Sequence, residues 1–93
     1  MQANKPDMAS RQTIEVRLSG SLRAQAGGRE RVTVEGGNIR EILDSLAERV
    51  PELRALLARG VAVAVDGQIY RDAWFQPIRP DSEVYILPKM AGG

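Results

Sequence analysis

The two glycines at the end of the sequence are the residues whose type and position best suit chemistry. Gly92 and Gly93 follow a short stretch that includes Lys89 and Met90. Because glycine has no Cβ, such an end is thin enough to enter a narrow pocket of another protein. The terminal carboxylate of Gly93, with a pKa near about 3.3 to 3.7, is ionised and unreactive until it is activated. We therefore predict that Gly93, with Gly92 beside it, is adenylated by a partner that uses ATP.

We expect the residues before the glycines to be the segment that this partner binds. Pro88 cannot donate to a sheet ladder, so the last strand, whose apolar run covers 84–87, should stop there. Six further residues reach at most about 20 Å. We expect a disordered lead-in over 1–12, a domain over 13–88 and a flexible tail over 89–93. The alternative is a flexible terminus without a role, which glycine also favours.

Composition excludes several classes of site. The chain has 93 residues, a length that predicts a single domain, and 43% of them are apolar. It contains no histidine and no cysteine, so we expect no metal site, no disulfide and no cysteine nucleophile. The isoelectric point of 8.2 is below the range typical of nucleic-acid binders. No apolar run is long enough for a membrane helix. We expect a cytoplasmic protein that binds neither nucleic acid nor membrane, and no bound cofactor.

Hydrophobic periodicity predicts an α+β fold. Alternation or continuous apolar character indicates five strands, over 13–18, 31–35, 61–65, 68–70 and 83–87. Asp66-Gly67 is a hairpin signal. Asn38 should cap a helix with Glu41 as its capping-box partner. One face of that helix is apolar, formed by Ile39, Ile42, Leu43, Leu46, Ala47 and Val50.

Shorter helical signals surround this main helix. We expect a turn over 21–25 and, after Pro51, a second short helix that ends at Gly60 in a left-handed cap. The order of elements places one helix between the second and third strands. The terminal strands should lie side by side in the middle of a mixed sheet of four to five strands. That arrangement is the β-grasp, or ubiquitin-like roll, packed on one main helix.

Exposed aromatic residues near the tail are candidates for binding a partner. Tyr85 and Leu87 should face away from the core, and we expect Trp74 or Phe75 to join them, since aromatic residues are enriched at interface hot spots. Trp74 and Phe75 could equally cap one end of the core. Lys89 would contact an acidic groove, with Met90 beside it, or would serve only as a solubilising charge.

With this order in hand, the chain resembles the MoaD/ThiS family of ubiquitin-like sulfur carriers, which includes the small subunit of molybdopterin synthase. The resemblance covers 13–93 and is carried by the segments Leu22-Arg23, Ala26-Gly27-Gly28, Ile39 to Pro51, Val61 to Gly67, Asp81 to Val84, Leu87-Pro88 and Gly92-Gly93. Lys89 and Met90 depart from the family's usual approach to the final glycines, and the Trp74–Pro77 loop is bulky for it.

The resemblance implies a function. It implies that a ubiquitin-activating-type enzyme adenylates the terminal glycine, which then becomes a thiocarboxylate. The sulfur passes to a synthase that makes molybdopterin, or to the synthesis of thiamin, cysteine or thiolated RNA. Such a carrier is not itself an enzyme. Two alternatives stay open: a ubiquitin-like modifier joined to lysines through Gly93, and a β-grasp interaction module.

Overall fold

The computed structural model describes residues 12–89. Five strands form one mixed sheet: β1 (Thr13–Leu18), β2 (Arg31–Glu35), β3 (Val61–Val65), β4 (Gln68–Arg71) and β5 (Val84–Pro88). Their order is β2-β1-β5-β3-β4. β1 and β5 are parallel, and the other neighbouring pairs are antiparallel. The first and last strands therefore lie side by side in the centre, which confirms the predicted β-grasp fold.

One long helix covers one side of the sheet. Helix α2 (Ile39–Arg49) follows the short α1 (Ser21–Gln25), and a 3₁₀ turn (Pro51–Leu53) leads into α3 (Arg54–Arg59). The Asn38 side chain accepts a hydrogen bond from the Glu41 amide at 2.9 Å, as the capping prediction requires. The Glu41 carboxylate reaches one residue further back than a capping box does, to the Gly37 amide at 2.7 Å.

The core lies between α2 and the sheet. The predicted apolar face of α2 is buried, except that Ala47 is only half-buried. It packs on the inward side chains of the strands and on Leu22, Leu53 and Ile78. No polar or charged side chain in the described part of the chain is buried. The hydrophobic effect therefore dominates this core, without a polar network inside it.

Three details differ from the sequence-based expectations. Pro88 ends β5 as its last residue, paired with Val61, instead of lying just beyond it. Gly60 ends α3 as predicted and its amide donates to the Leu57 carbonyl, but its φ of 108° and ψ of 138° lie outside the left-handed helical region. Gln12, counted with the lead-in, is hydrogen-bonded through its backbone to Gly36 and through its side chain to Ile78. Gln12 is thus tied to the domain by hydrogen bonds.

Candidate functional site

The C-terminal segment follows directly after β5, which is the central strand of the sheet. Val84 and Ile86 point into the core and are buried, while Tyr85 and Leu87 point to the side of the sheet away from α2. This confirms the predicted orientation of the strand. We call the side away from α2 the outer face. Lys89 is the last described residue; Met90, Gly92 and Gly93, which the sequence predicts to bind or react, lie outside the described residues.

Two glycines lie against the last described residues. A Cβ on Gly20 would be 3.4 Å from Cγ of Pro88, and one on Gly60 would be 3.3 Å from Cδ of Lys89. Gly60 therefore leaves room for the aliphatic part of Lys89 to cross its backbone. The Lys89 ammonium lies 3.8 Å from the Asp72 carboxylate. Both side chains are exposed, so the pair adds little stability.

The outer face carries an apolar patch next to the end of β5. Cross-strand pairing forms one row through all five strands, made of Arg31, Arg17, Tyr85, Ala64 and Ile69. Leu87 pairs with Ala62, which pairs with Arg71, in a second row. The two alanines are small, so the larger side chains beside them stand above the sheet. Ile69 is 56% exposed, and sequence reasoning did not single it out.

Arg17 fixes the position of Tyr85 on this face. Its guanidinium donates a hydrogen bond to the Tyr85 hydroxyl at 2.9 Å and lies 5.5 Å from the ring centroid. That contact is a cation–π interaction at an exposed site. Arg31 is directly opposite Arg17 on the neighbouring strand, a like-charge pair that costs stability in an isolated sheet. The two guanidinium groups border the apolar patch with positive charge.

A shallow groove of about 280 Å³ connects this patch to the end of β5. It is lined by Ala62, Ile69, Arg71, Leu87, Pro88 and Lys89. The apolar lining suits the side chains of a protein partner, and the two cationic side chains at its border, Arg71 and Lys89, suit acidic groups. The groove thus joins the outer face to the residue from which the C-terminal segment departs.

Trp74 is not part of this surface. It lines a different groove, together with residues of α2 and α3 on the helical side of the sheet. Its carbonyl accepts a hydrogen bond from the Arg40 amide at 2.8 Å. The expectation that Trp74 joins Tyr85 and Leu87 is therefore wrong. Phe75, the next residue, is 73% exposed, and the residues of this loop that pack on the core are Ala73 and Ile78. Phe75 does not cap the core.

The described residues form neither a metal-binding cluster nor a membrane-spanning helix. Within 12–89, no group of three or more acidic side chains is arranged to hold a metal ion. No helix in the same part of the chain is long and apolar enough to cross a membrane. The surface best suited to recognition in the described part of the chain is the outer face beside the end of β5.

Comparison with solved structures finds the same fold in small proteins. The small archaeal modifier protein 1 of Methanosarcina acetivorans aligns with a TM-score of 0.74 at 20% identity, covering 89% of this chain and 98% of that one. The BexX/CysO complex of Amycolatopsis orientalis gives 0.67 at 25% identity, covering 86% and 99%. A complex of subunits 1 and 2 of the molybdopterin-converting factor from Helicobacter pylori gives 0.60 at 21% identity, covering 87% and 99%.

At the level of sequence, the chain matches one protein family. No curated protein matches the chain. A protein-family comparison matches the ThiS family over residues 16–93, from within β1 to the final glycine. The match covers the second half of β1, the other four strands, α2 and the Gly92-Gly93 end. The chain belongs to the ThiS family.

Proposed function

We propose that the chain is a sulfur carrier whose reactive group is the terminal carboxylate of Gly93. The observation that carries this proposal is the ThiS family match, which extends to the Gly-Gly end of the chain. The position of β5 supports it, because a central strand held on both sides is a rigid base from which to present a short segment. The chain would be a substrate and carrier for other enzymes rather than an enzyme.

The chemistry has two steps, both performed by partners. A carboxylate oxygen of Gly93 attacks the α-phosphate of ATP, pyrophosphate leaves, and an acyl-adenylate forms. Hydrosulfide, or a sulfur donor that delivers its equivalent, then attacks the acyl carbon, and AMP leaves with the original oxygen. The product is a thiocarboxylate that a synthase uses as its sulfur source. Because activation consumes ATP, we expect the reaction in the cytoplasm.

The outer face is the surface we propose for the activating enzyme and for the synthase. Tyr85 and Leu87 adjoin the end of β5, and Ile69 extends their patch. The similar CysO forms a complex with BexX, which supports a protein partner for this chain as well. Lys89 and Met90 would enter the partner with the glycines. A precursor of molybdopterin is the sulfur acceptor we put first, with precursors of thiamin, cysteine and thiolated RNA as the other candidates.

Mass spectrometry tests the proposal. The chain is incubated with ATP, a sulfide source and the activating enzyme encoded nearest its gene, and the intact mass is measured. We expect one oxygen to be replaced by sulfur, with the change located at Gly93. Gly93→Ala should block the reaction, because the added methyl group narrows the fit to a pocket shaped for glycine. Deletion of Gly92 and Gly93 should block it too.

Controls separate loss of chemistry from loss of fold. Since β5 ends at Pro88, both tail variants should keep the wild-type unfolding midpoint. If Gly93 appears instead in an isopeptide bond to a lysine, the chain is a protein modifier. If no adenylate forms and Gly93→Ala is silent in cells, the carrier proposal is wrong and the chain is an interaction module.

A further inference from the structure

A second groove lies on the helical side of the sheet, away from the outer face. It has a volume of about 440 Å³ and is lined by Arg40, Leu43, Asp44 and Ala47 of α2, by Arg54, Leu57 and Ala58 of α3, and by Trp74. The α2 residues follow helical spacing, so they form one continuous stripe beside the buried face of that helix. We call this the Trp74 groove. The proposed sulfur chemistry does not use it.

The wall formed by Trp74 is held in place by its backbone. The Arg40 amide donates to the Trp74 carbonyl at 2.8 Å, and the Ile39 amide donates to the Gln76 carbonyl at 3.1 Å. Two residues further, the Ile78 amide donates to the Gly37 carbonyl at 3.0 Å. The loop is thus pinned across the start of α2, while 42% of Trp74 stays exposed. A fixed, half-exposed tryptophan is the kind of residue that anchors an interface.

The polar groups around the groove are nearly all donors. Arg40, Arg54 and the indole of Trp74 carry N–H groups, and the one side-chain acceptor among the lining residues is the Asp44 carboxylate. Asp44 already pairs with Arg40 at 3.8 Å. Nε of Arg54 donates to the Ala47 carbonyl at 3.3 Å. Within 12–89, neither the remaining guanidinium N–H groups of Arg54 nor the Trp74 indole has an acceptor.

This donor excess defines the charge of the occupant. An apolar floor with free donors at its border is complementary to apolar side chains flanked by carboxylates. The volume falls within the range of small-molecule clefts, so size does not decide between a small ligand and a protein. However, no polar side chain in the described residues is buried, so the groove lacks the desolvated polar group that fixes a small ligand. A protein segment can instead spread its contacts along the rim.

We propose that the Trp74 groove binds an acidic amphipathic segment of a second protein, with its apolar face against Trp74 and Leu57 and its carboxylates near Arg54. Because the groove and the outer face lie on different sides of the sheet, the two can be occupied at once. The chain would then carry a bound partner to or from the enzyme that acts on its C-terminus. Binding at the Trp74 groove is independent of the sulfur chemistry, whereas this carrying role rests on the proposed function.

The only tryptophan of the sequence lies in this groove, so its fluorescence reports on binding directly. The probe is a short peptide without tryptophan that has phenylalanine and leucine on one helical face and glutamate elsewhere. The control peptide has lysine in place of every glutamate. We expect the glutamate peptide to shift and saturate Trp74 emission and the lysine peptide to leave it unchanged. Equal responses, or no response to the glutamate peptide at millimolar concentration, would overturn the proposal.

A matched pair of variants locates the site. Arg54→Glu should weaken the affinity for the glutamate peptide roughly three- to tenfold, because an exposed charge attraction becomes a repulsion. Arg59→Glu makes the same charge change on the same helix but outside the groove lining, and should leave the affinity near that of the wild type. Both are exposed positions, and both unfolding midpoints are measured. If the two variants weaken binding equally, the attraction is only to net charge and the groove is not the site.

Discussion

Gly36 is the position where the structure leaves least room for a side chain. It joins β2 to the cap of α2 and has a φ of +150°. A Cβ built there would be 2.6 Å from Cβ of Glu41 and 2.9 Å from the amide nitrogen of Ile42, whereas ordinary contact begins at 3.4 Å. Two of its three nearest atoms belong to the backbone of the first turn of α2 and cannot rotate away. Gly36→Ala must therefore push the helix off the sheet.

The cost of that substitution has two parts. Overpacking a well-filled core costs about 1–3 kcal/mol, and a non-glycine residue in an unfavourable backbone region costs on the order of 1–3 kcal/mol. Gly67→Ala is the matched control, since Gly67 also has a positive φ but has no atom within 4 Å of its built Cβ. Both changes remove the same freedom from the unfolded chain. The difference between the two variants, about 1–3 kcal/mol, isolates the packing term.

Thermal unfolding of the two variants, followed by circular dichroism, measures this difference. Gly36→Ala should unfold at a clearly lower midpoint than Gly67→Ala, by roughly 5–20 °C in a thermal melt. Trp74 emission should change in Gly36→Ala alone, because the displaced first turn of α2 is hydrogen-bonded to the loop that holds Trp74. If the two variants lose the same stability, the close approach at Gly36 does not constrain the helix and the reasoning is refuted.

Three further changes test the core, the helix cap and the base of the tail. Leu46→Ala removes a fully buried side chain and should cost about 2–5 kcal/mol of unfolding free energy, so a loss below about 0.5 kcal/mol in urea unfolding would contradict the assigned core face. Asn38→Ala should cost about 1 kcal/mol through loss of its side-chain cap, whereas Asn38→Asp should retain most of it; similar losses would argue against the cap. Asp72→Asn keeps a residue that tolerates the φ of 56° but breaks the ion pair with Lys89. The free energy of unfolding should therefore fall by less than ~1 kcal/mol, and the loss should be smaller still at high salt. Under the proposed function, the same variant should raise the KM for activation by at most about fivefold; a larger loss would mean that Asp72 contacts the enzyme directly.

Much of the fold follows from local patterns in the sequence. Period-two alternation over 13–18 and 31–35 gives the inward and outward sides of β1 and β2, because successive side chains of a strand point to opposite faces. The Asp66-Gly67 turn fixes the register of β3 with β4, and both residues adopt the positive φ that such a turn requires. Given that register, the exposure of Ile69 opposite Ala64 could also have been predicted.

The position of Trp74 could not have been predicted in this way. An irregular loop has no periodicity from which to read which side of the sheet a residue takes. Here the side is decided by hydrogen bonds to Ile39 and Arg40, which are more than thirty residues earlier in the chain. The groove beside it also depends on how α3 turns after Pro51, and a proline marks the break between two helices without setting their angle. Both features arise from contacts between distant segments.

The central position of β5 also determines how the molecule responds to force. A pull on the C-terminus acts along β5, whose hydrogen bonds to β1 and β3 run across the direction of the pull. Both ladders, β5 with β1 and β5 with β3, are therefore loaded in shear. Their hydrogen bonds bear the force together and do not open one after another. The parallel neighbour, β1, is the strand attached to the N-terminal side of the chain, so opposite pulls on the two ends stretch the same interface. A machine that unfolds proteins by pulling on the C-terminus would therefore have to shear two ladders of hydrogen bonds at once.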